Sequence, residues 1–352
     1  MTVTGGFPAP GPQDHEPPRD QSYDAPTAPG SLTRPPDPSL TAHKPGIVSL
    51  RPMELGDILD GAVKAVRFNP KAMVGLSALV LGALLVPSAA MGVGATRLMV
   101  DFLNGFGPGA QAFLGVPSSA IESFFKMLAA VILSGLLSQV VSQAVLGHRP
   151  DLAQTWQSTR GRLMPLLTLG LLFVLVNLLF LAALSGPGVF LIVGGNVAAG
   201  VVLLFFGLFG LIAVTLAIST KVSMAGPAIV LEGHGILAGL RRSFALTRGA
   251  AFWRLLGITL LAGIIAGVVG FLLGMPFTVI GTMIAANIGP NTENGQMVLT
   301  FTSHLSALVT GAITTPFVAA VSCLLYIDRR MRLEALDVVL LRQGQSNPAP
   351  RI

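Results

Sequence analysis

Apolar runs long enough to cross a bilayer recur along this chain, separated by short polar stretches. A helix needs roughly 20 apolar residues to span the hydrocarbon core. Backbone polar groups in lipid must be bonded within the protein, which leaves helices or a closed barrel. The runs are continuous rather than alternating, so they read as helices. Only 11% of the 352 residues are charged, against about 25% in soluble domains. A chain of this length cannot hide so much apolar surface from water, whereas a membrane accepts it. The expected fold class is all-α: a polytopic membrane protein with about six transmembrane helices in three hairpins, each preceded by an amphipathic interfacial helix.

Six runs fit such spans: Ala72 to Ala95, Ser123 to Leu146, Leu163 to Ser185, Val197 to Thr220, Leu255 to Ala285 and Thr302 to Ile327. Gly186-Pro187-Gly188 reads as a turn, and residues 189–196 as loop or re-entrant backbone. Loops are expected at Gly105 to Gly109 and at Asn287 to Gln296. A charged helix, Asp328 to Asp337, follows the last span. Residues 47–341 make up the membrane domain. Residues 1–46 form a Pro-rich tail without the apolar periodicity needed to fold, and residues 342–352 a second polar tail; both are expected to be disordered. No basic start leads into an apolar core, so the first tail does not read as a signal peptide.

Three polar stretches precede pairs of spans. In Leu50 to Pro70, Pro52 suits a first helical turn, and Glu54 and Asp57 suit the positive helix end. Leu55, Ile58, Leu59, Ala62, Val63 and Val66 recur at helical spacing, with Asp57, Asp60, Lys64 and Arg67 opposite. Asn69-Pro70 ends the helix. His148 to Arg162 carries Leu152, Trp156 and Leu163 on one side. Pro227 to Arg254 is the most charged of the three and reads as one amphipathic helix at a membrane surface. The last two are copies. Thr159-Arg160-Gly161 matches Thr247-Arg248-Gly249, and at the same offset Leu152 matches Leu240 and Trp156 matches Phe244. A two-residue gap brings Gly147-His148 onto Gly233-His234. More distantly, Ile58-Leu59-Asp60-Gly61 resembles Ile236-Leu237-Ala238-Gly239. Three units follow, each an interfacial helix and a hairpin.

Lys and Arg beside the spans set the orientation. One side carries Lys64, Arg67, Lys71, Arg149, Arg160, Arg162, Lys221, Arg241, Arg242, Arg248, Arg254, Arg329, Arg330 and Arg332; the other has Arg97 and Lys126. The first side, with both termini, is expected in the cytoplasm. The net charge of +6 belongs to these flanks, so no nucleic-acid partner is expected.

Arg241, Arg242 and Arg248, with Glu232 nearby, are the candidate contacts for lipid phosphate. Guanidinium groups grip phosphate bidentately, and a basic juxtamembrane cluster gains about 1 kcal/mol per charge from anionic lipid. The plainer reading is topology determination plus a salt bridge from Glu232. Gly263, Gly267, Gly270 and Gly274 share one helix face. Such a face suits packing within the chain, or contact with a protein partner or second copy. Gln139, Gln143, Asn177 and His304 are polar groups at membrane depth, which suit either a transport pathway or hydrogen bonds between helices.

His148 and His234 occupy matching positions, but neither has a ligand partner at helical spacing, so no metal and no cofactor are expected. The single cysteine, Cys323, excludes an intramolecular disulfide. The sequence contains no GxSxG, HExxH or phosphate-loop motif. No catalytic residue is assigned.

Three local patterns carry a family resemblance. They are Leu50 to Gly61 (LRPMELGDILDG); Glu232-Gly233 with Leu240 to Phe244 and Thr247-Arg248-Gly249; and Leu324 to Glu334 (LLYIDRRMRLE). In this order they resemble the bacterial membrane domain named for glycerophosphoryl diester phosphodiesterases, in the stand-alone form found in actinobacteria. The resemblance covers about residues 48 to 341. It implies a plasma-membrane protein. In relatives that hydrolyse diesters it implies a separate soluble barrel with paired histidines and metal-binding carboxylates. His148-Arg149 is similar to the His-Arg of that barrel, but Pro150 replaces the glycine and the partner acids are missing. No soluble segment of this chain has room for a barrel of roughly 250 residues. Ala335-Leu336 stands where the family has a Gly-aromatic pair.

The expected function is therefore a non-enzymatic integral membrane protein. It acts as a scaffold, lipid-interacting or partner-organising module, with membrane lipids, anionic ones included, as its first partners. The alternatives are a transporter or channel, and the membrane part of glycerophosphodiester metabolism with catalysis supplied by another protein.

Overall fold

The computed structural model describes residues 46–48, 52–103 and 116–334. The expected tails, apart from Gly46, lie outside these residues, as do the Gly105 to Gly109 loop and Ala335-Leu336. Within them all regular structure is helical and no strand occurs. The elements are α1 (Leu55–Phe68), α2 (Pro70–Leu103), α3 (Val116–Val145), α4 (Leu152–Thr159), a 3-10 turn (Arg160–Arg162), α5 (Leu163–Val193), α6 (Val197–Val222), α7 (Ala225–Leu231), α8 (Ile236–Leu246), α9 (Ala251–Ile288) and α10 (Glu293–Glu334). Six stretches are long and apolar enough to cross a membrane: Pro70–Val100, Val116–Val145, Leu152–Ile192, Val197–Leu231, Ala251–Ile288 and Glu293–Glu334. The chain is a multi-pass α-helical membrane protein.

The centre is built from α2, α3 and α10, which pack on one another and are the most buried of the six stretches. Leu133, Leu136, Leu137, Val140 and Val141 of α3 meet Ala320, Cys323 and Leu324 of α10 within one buried cluster. Lipid tails are as apolar as these side chains, so close van der Waals fit, rather than escape from water, holds the helices together. Small residues make that fit close. A Cβ on Gly226 of α7 would stand 2.5 Å from Ser134 Oγ, and one on Gly311 of α10 would stand 2.8 Å from Leu81 of α2. Around this centre α9 packs on α10, α5 on α3, and α6 on α5. The stretch containing α6 is the least buried. Its Val201, Val202, Phe205, Phe206 and Phe209 are exposed, which a bilayer tolerates and water does not.

Several expected boundaries move. α1 begins after Glu54, and the Glu54 N–H donates to Asp57 Oδ2 at 3.1 Å in a capping box. Pro52 therefore precedes the helix instead of opening it. The buried face of α1 is Ile58, Gly61, Ala62 and Ala65, while Leu55 and Val63 stay exposed. Asp60 and Lys64 form the expected pair on the outer side.

The turn expected at Gly186-Pro187-Gly188 and the loop at 189–196 are corrected. α5 runs through the first and on to Val193, so of the loop or re-entrant segment expected at 189–196 only Gly194 to Asn196 remain as a turn, where Gly195 has a φ of +86°. Gly188 serves packing instead. A Cβ on Gly188 would come within 3.0 Å of the Gly200 carbonyl, and one on Gly200 within 2.8 Å of the Gly188 carbonyl. The loop at Asn287 to Gln296 also shrinks, since α9 ends at Ile288 and α10 starts at Glu293. That last span is continuous with the charged helix expected after it, as far as Glu334.

The single amphipathic helix expected from Pro227 to Arg254 is corrected as well. It is broken at Gly233, with φ +70°, and at Gly249, with φ +67°. The first piece, α7, is not a surface helix: Pro227, Ala228 and Ile229 are buried against α3.

The two similar stretches keep matching burial. Thr155 and Ser243 are buried, as are Thr159 and Thr247, whereas Trp156 and Phe244 are exposed. Thr159 donates to the Thr155 carbonyl at 2.6 Å, and Thr247 to the Ser243 carbonyl at 2.9 Å.

Candidate functional site

The charged residues beside the spans converge on two acids. The first is Glu232, at the end of α7. Its Oε2 and Oε1 accept from Arg242 Nε and NH2, each at 3.2 Å. Oε1 also lies 3.3 Å from Arg330 Nε and accepts from the Tyr326 hydroxyl. Arg330 Nε donates to Glu334 at 3.0 Å, and Arg242 pairs with Glu334. Glu232, Arg242, Glu334 and Arg330 thus form a closed ring of alternating charge. Burial opposes the charge on Arg242, but its hydrogen bonds to Glu232 and Glu334, and their negative charge, outweigh that and hold the guanidinium above its usual pKa. His234 Nδ1 lies 3.2 Å from Glu232 Oε2 without forming a hydrogen bond.

The second acid is Asp328 of α10, fully buried. Its Oδ1 accepts from the Met53 N–H at 2.8 Å. Arg254 NH1 donates to Oδ2 at 2.6 Å, and Arg332 Nε reaches both oxygens at 3.0 Å. The Met53 carbonyl accepts from Arg254 NH2 and Arg332 NH2, each at 2.8 Å. One peptide, one carboxylate and two guanidiniums therefore satisfy one another, which a buried charge requires. Further arginines cap backbone: Arg329 Nε donates to the Leu246 carbonyl at 3.0 Å and Arg162 NH1 to the Gly233 carbonyl at 3.2 Å.

Of the four candidate phosphate contacts, Glu232 and Arg242 come together, while Arg241 and Arg248 do not join them. Both are exposed and form no ion pair among the described residues. Arg242 is committed to two carboxylates, which leaves it no open fork for a phosphate. The sequence reading missed Tyr326, Asp328, Arg330, Arg332, Glu334 and Arg254 as members of these clusters. The spacings Asp328/Arg332 and Arg330/Glu334 carry a local signal. Nothing local connects Glu232 to Tyr326, 94 positions later.

The polar groups at membrane depth divide. Asn177 Oδ1 accepts from Thr215 at 2.8 Å, and its amide donates to the Phe173 carbonyl at 2.8 Å, so it joins α5 to α6. His304 Nδ1 lies 2.8 Å from the Thr300 carbonyl and Nε2 lies 3.0 Å from Ser88 Oγ. Glu122 is 3.7 Å from His304 Nδ1 and pairs with Lys126 at 3.0 Å. Gln139 and Gln143 line a polar cavity with His148 and Arg149. Of the glycine face on α9, Gly274 meets Ser306 of α10 and Gly270 approaches Thr310 and Thr314, while Gly263 and Gly267 have open space beside them. Among the described residues no group of three or more His, Cys, Asp or Glu side chains is gathered as for a metal.

No curated protein and no solved structure matches this chain. A family model does match it over residues 53–328, which runs from one partner of the Met53–Asp328 hydrogen bond to the other. That region is most of the sequence, and the chain belongs to the family described as a domain of unknown function, DUF7847.

Proposed function

We propose that the protein is a non-enzymatic membrane module that holds phospholipid and organises partners at one face of the bilayer. The observation that supports this reading is the use made of its charged side chains. Glu232, Arg242, Arg330 and Glu334 neutralise one another, as do Asp328, Arg254 and Arg332. These groups clasp helix ends together rather than converge on a reacting atom. In this reading the six long helices form three hairpins, each led by a short amphipathic element in the interfacial plane. The basic flanks, with both chain ends, face the cytoplasm of a bacterium, and the membrane is its plasma membrane. The exposed faces of Gly263 and Gly267 give a second copy or a protein partner room to approach. The three sequence patterns support a likeness to the glycerophosphoryl diester phosphodiesterase membrane domain, with any diester hydrolysis left to another protein.

The test is purified protein in nanodiscs of graded anionic phospholipid content, assayed also with glycerophosphodiesters and divalent metals. A preference for anionic headgroups with no product released is expected. Product release, or indifference to headgroup, would overturn the reading.

A transporter is the second reading, favoured by the buried Ser88, Glu122 and His304 between α2, α3 and α10. Proton- or ion-coupled flux in proteoliposomes that is lost in His304→Gln would support it.

A further inference from the structure

Gly147, with a φ of +83°, turns the chain back at the end of α3. The His148 N–H then donates to the Gln143 carbonyl at 2.9 Å, so His148-Arg149-Pro150 folds over the last turns of α3. Two contacts fix this segment from α1. Asn69 Nδ2 donates to the Pro150 carbonyl at 2.7 Å, and the Arg149 guanidinium sits 4.4 Å from the centre of the Phe68 ring. Arg149 is thus held by an aromatic face and forms no ion pair with any described residue, which leaves its fork of donors unspent.

Beside it lies a cavity of about 370 Å³ lined by Gln139, Gln143, His148, Arg149 and Gln154, among others. The Gln139 and Gln143 side chains make no hydrogen bond to a described residue. Gln154 Oε1 accepts from the Asp151 N–H at 3.2 Å, which leaves its NH2 group for the cavity. The Thr155 and Ser158 hydroxyls, also at the wall, donate back to helix carbonyls. No carboxylate is among the lining residues. One cation and three primary amides without an acid form a donor set for an anion. The later copy differs at this point. Where that copy has Glu232, which occupies Arg242, this one has Leu146. The cavity sits at the end of the second spanning stretch, Val116–Val145, the depth at which lipid headgroups lie.

We propose that this cavity binds a phosphate ester, supplied by the headgroup of a membrane phospholipid. The proposal rests on the lipid-module reading and gives it a site that the sequence had placed on Arg241, Arg242 and Arg248. Arg149 takes two phosphate oxygens, and the amides of Gln139 and Gln143 take the remainder.

The test uses delipidated full-length protein in maltoside micelles, titrated with dioctanoyl phosphatidic acid, with dioctanoylglycerol and with inorganic phosphate, and read by thermal shift. Binding to the native state raises the midpoint in proportion to occupancy. Dioctanoyl phosphatidic acid should stabilise and dioctanoylglycerol should not. Arg149→Gln should weaken phosphatidic acid binding about tenfold or more, the loss expected for a charge-assisted pair. The double variant Gln139→Leu/Gln143→Leu should do the same while leaving the Phe68 contact intact, and Arg241→Gln should bind as the native chain does. Equal stabilisation by dioctanoylglycerol, or native affinity in both cavity variants, would overturn the site. Inorganic phosphate that competes as strongly as the lipid would assign the same cavity to a soluble phosphate. Native protein that binds phosphate but no lipid removes the lipid-module reading and keeps the cavity. Native protein that binds lipid through neither Arg149 nor the glutamines removes the cavity and keeps the reading.

Discussion

The Met53 N–H and Asp328 Oδ1 are joined by a 2.8 Å hydrogen bond across 275 positions of sequence. Around it, Arg254 and Arg332 bridge the Asp328 carboxylate and the Met53 carbonyl. The segment entering α1 is thereby tied to the end of the last long helix and to the start of α9. Asp328 is fully buried, so removing it strands two guanidiniums rather than one hydrogen bond. Asp328→Ala is expected to cost about 3–5 kcal/mol, the range for breaking a buried pair from one side. Thermal or denaturant unfolding in detergent measures it. A loss under about 1 kcal/mol, the scale of exposed pairs, would mean that the clasp does not hold the fold.

The arginines of α8 and the turn after it should separate by environment. Arg242→Gln opens the ring with Glu232 and Glu334 and is expected to lower stability by about 1–3 kcal/mol. Arg241→Gln and Arg248→Gln should stay within about 0.5 kcal/mol of the native chain, as exposed substitutions do. The Arg242 pKa lies above its ordinary value. Its stabilisation is therefore complete below the usual arginine range, near 12 or higher, and is lost only as pH rises through the higher folded value. Unfolding midpoints of Arg242→Gln and native protein should accordingly differ by a constant amount across the neutral range, as far as Arg242 itself is concerned.

The glycine face of α9 divides at the middle. A Cβ on Gly281 would collide with Thr302 Oγ1 and one on Gly274 would stand 2.7 Å from Ser306 Oγ, whereas Gly263 and Gly267 have open space. Gly281→Val is expected to cost about 1–3 kcal/mol through overpacking. Gly263→Leu/Gly267→Leu should leave monomer stability close to native. If that half-face meets a second copy, the double variant shifts the oligomer distribution seen by light scattering in detergent.

The matched threonines offer a test of the repeat. Each is buried and donates its hydroxyl to the carbonyl four residues before it. Thr159→Val and Thr247→Val should therefore cost similar amounts, about 1 kcal/mol each. Costs that differ several-fold would show that the two stretches share spelling without sharing a structural role.

What could be read from the sequence follows the range of the forces involved. Spans were legible because apolar length alone determines them, and α6 and α9 fall close to the expected limits. Asn69-Pro70 marked the end of α1 by local sterics, and Asn69 is its C-cap. Gly186-Pro187-Gly188 misled because a proline between glycines is a turn signal in water. Here α6 packs so closely that Gly188 is needed inside the helix, where a Cβ would meet Leu204 and the Gly200 carbonyl. Pro227 to Arg254 looked like one amphipathic stretch because charge periodicity says nothing of the two positive-φ glycines that break it. The clusters around Glu232 and Asp328 were hidden for a plainer reason, since each gathers partners far apart in the chain: Tyr326 and Arg330 reach Glu232, and Met53 and Arg254 reach Asp328. The polar cavity beside Arg149 was also out of reach. The sequence placed Gln139 and Gln143 at membrane depth and His148 in a repeat, but the turn at Gly147 is what puts them side by side.

The cavity beside Arg149 is the proposed seat of a phospholipid headgroup. The most direct measurement is the headgroup composition of lipid retained by the full-length protein after extraction in a styrene–maleic acid polymer, compared with bulk membrane from the same cells. Anionic phospholipid should be enriched around the native protein, and that enrichment should be lost in Arg149→Gln but not in Arg241→Gln. Retained lipid that matches the bulk membrane in all three proteins would contradict it.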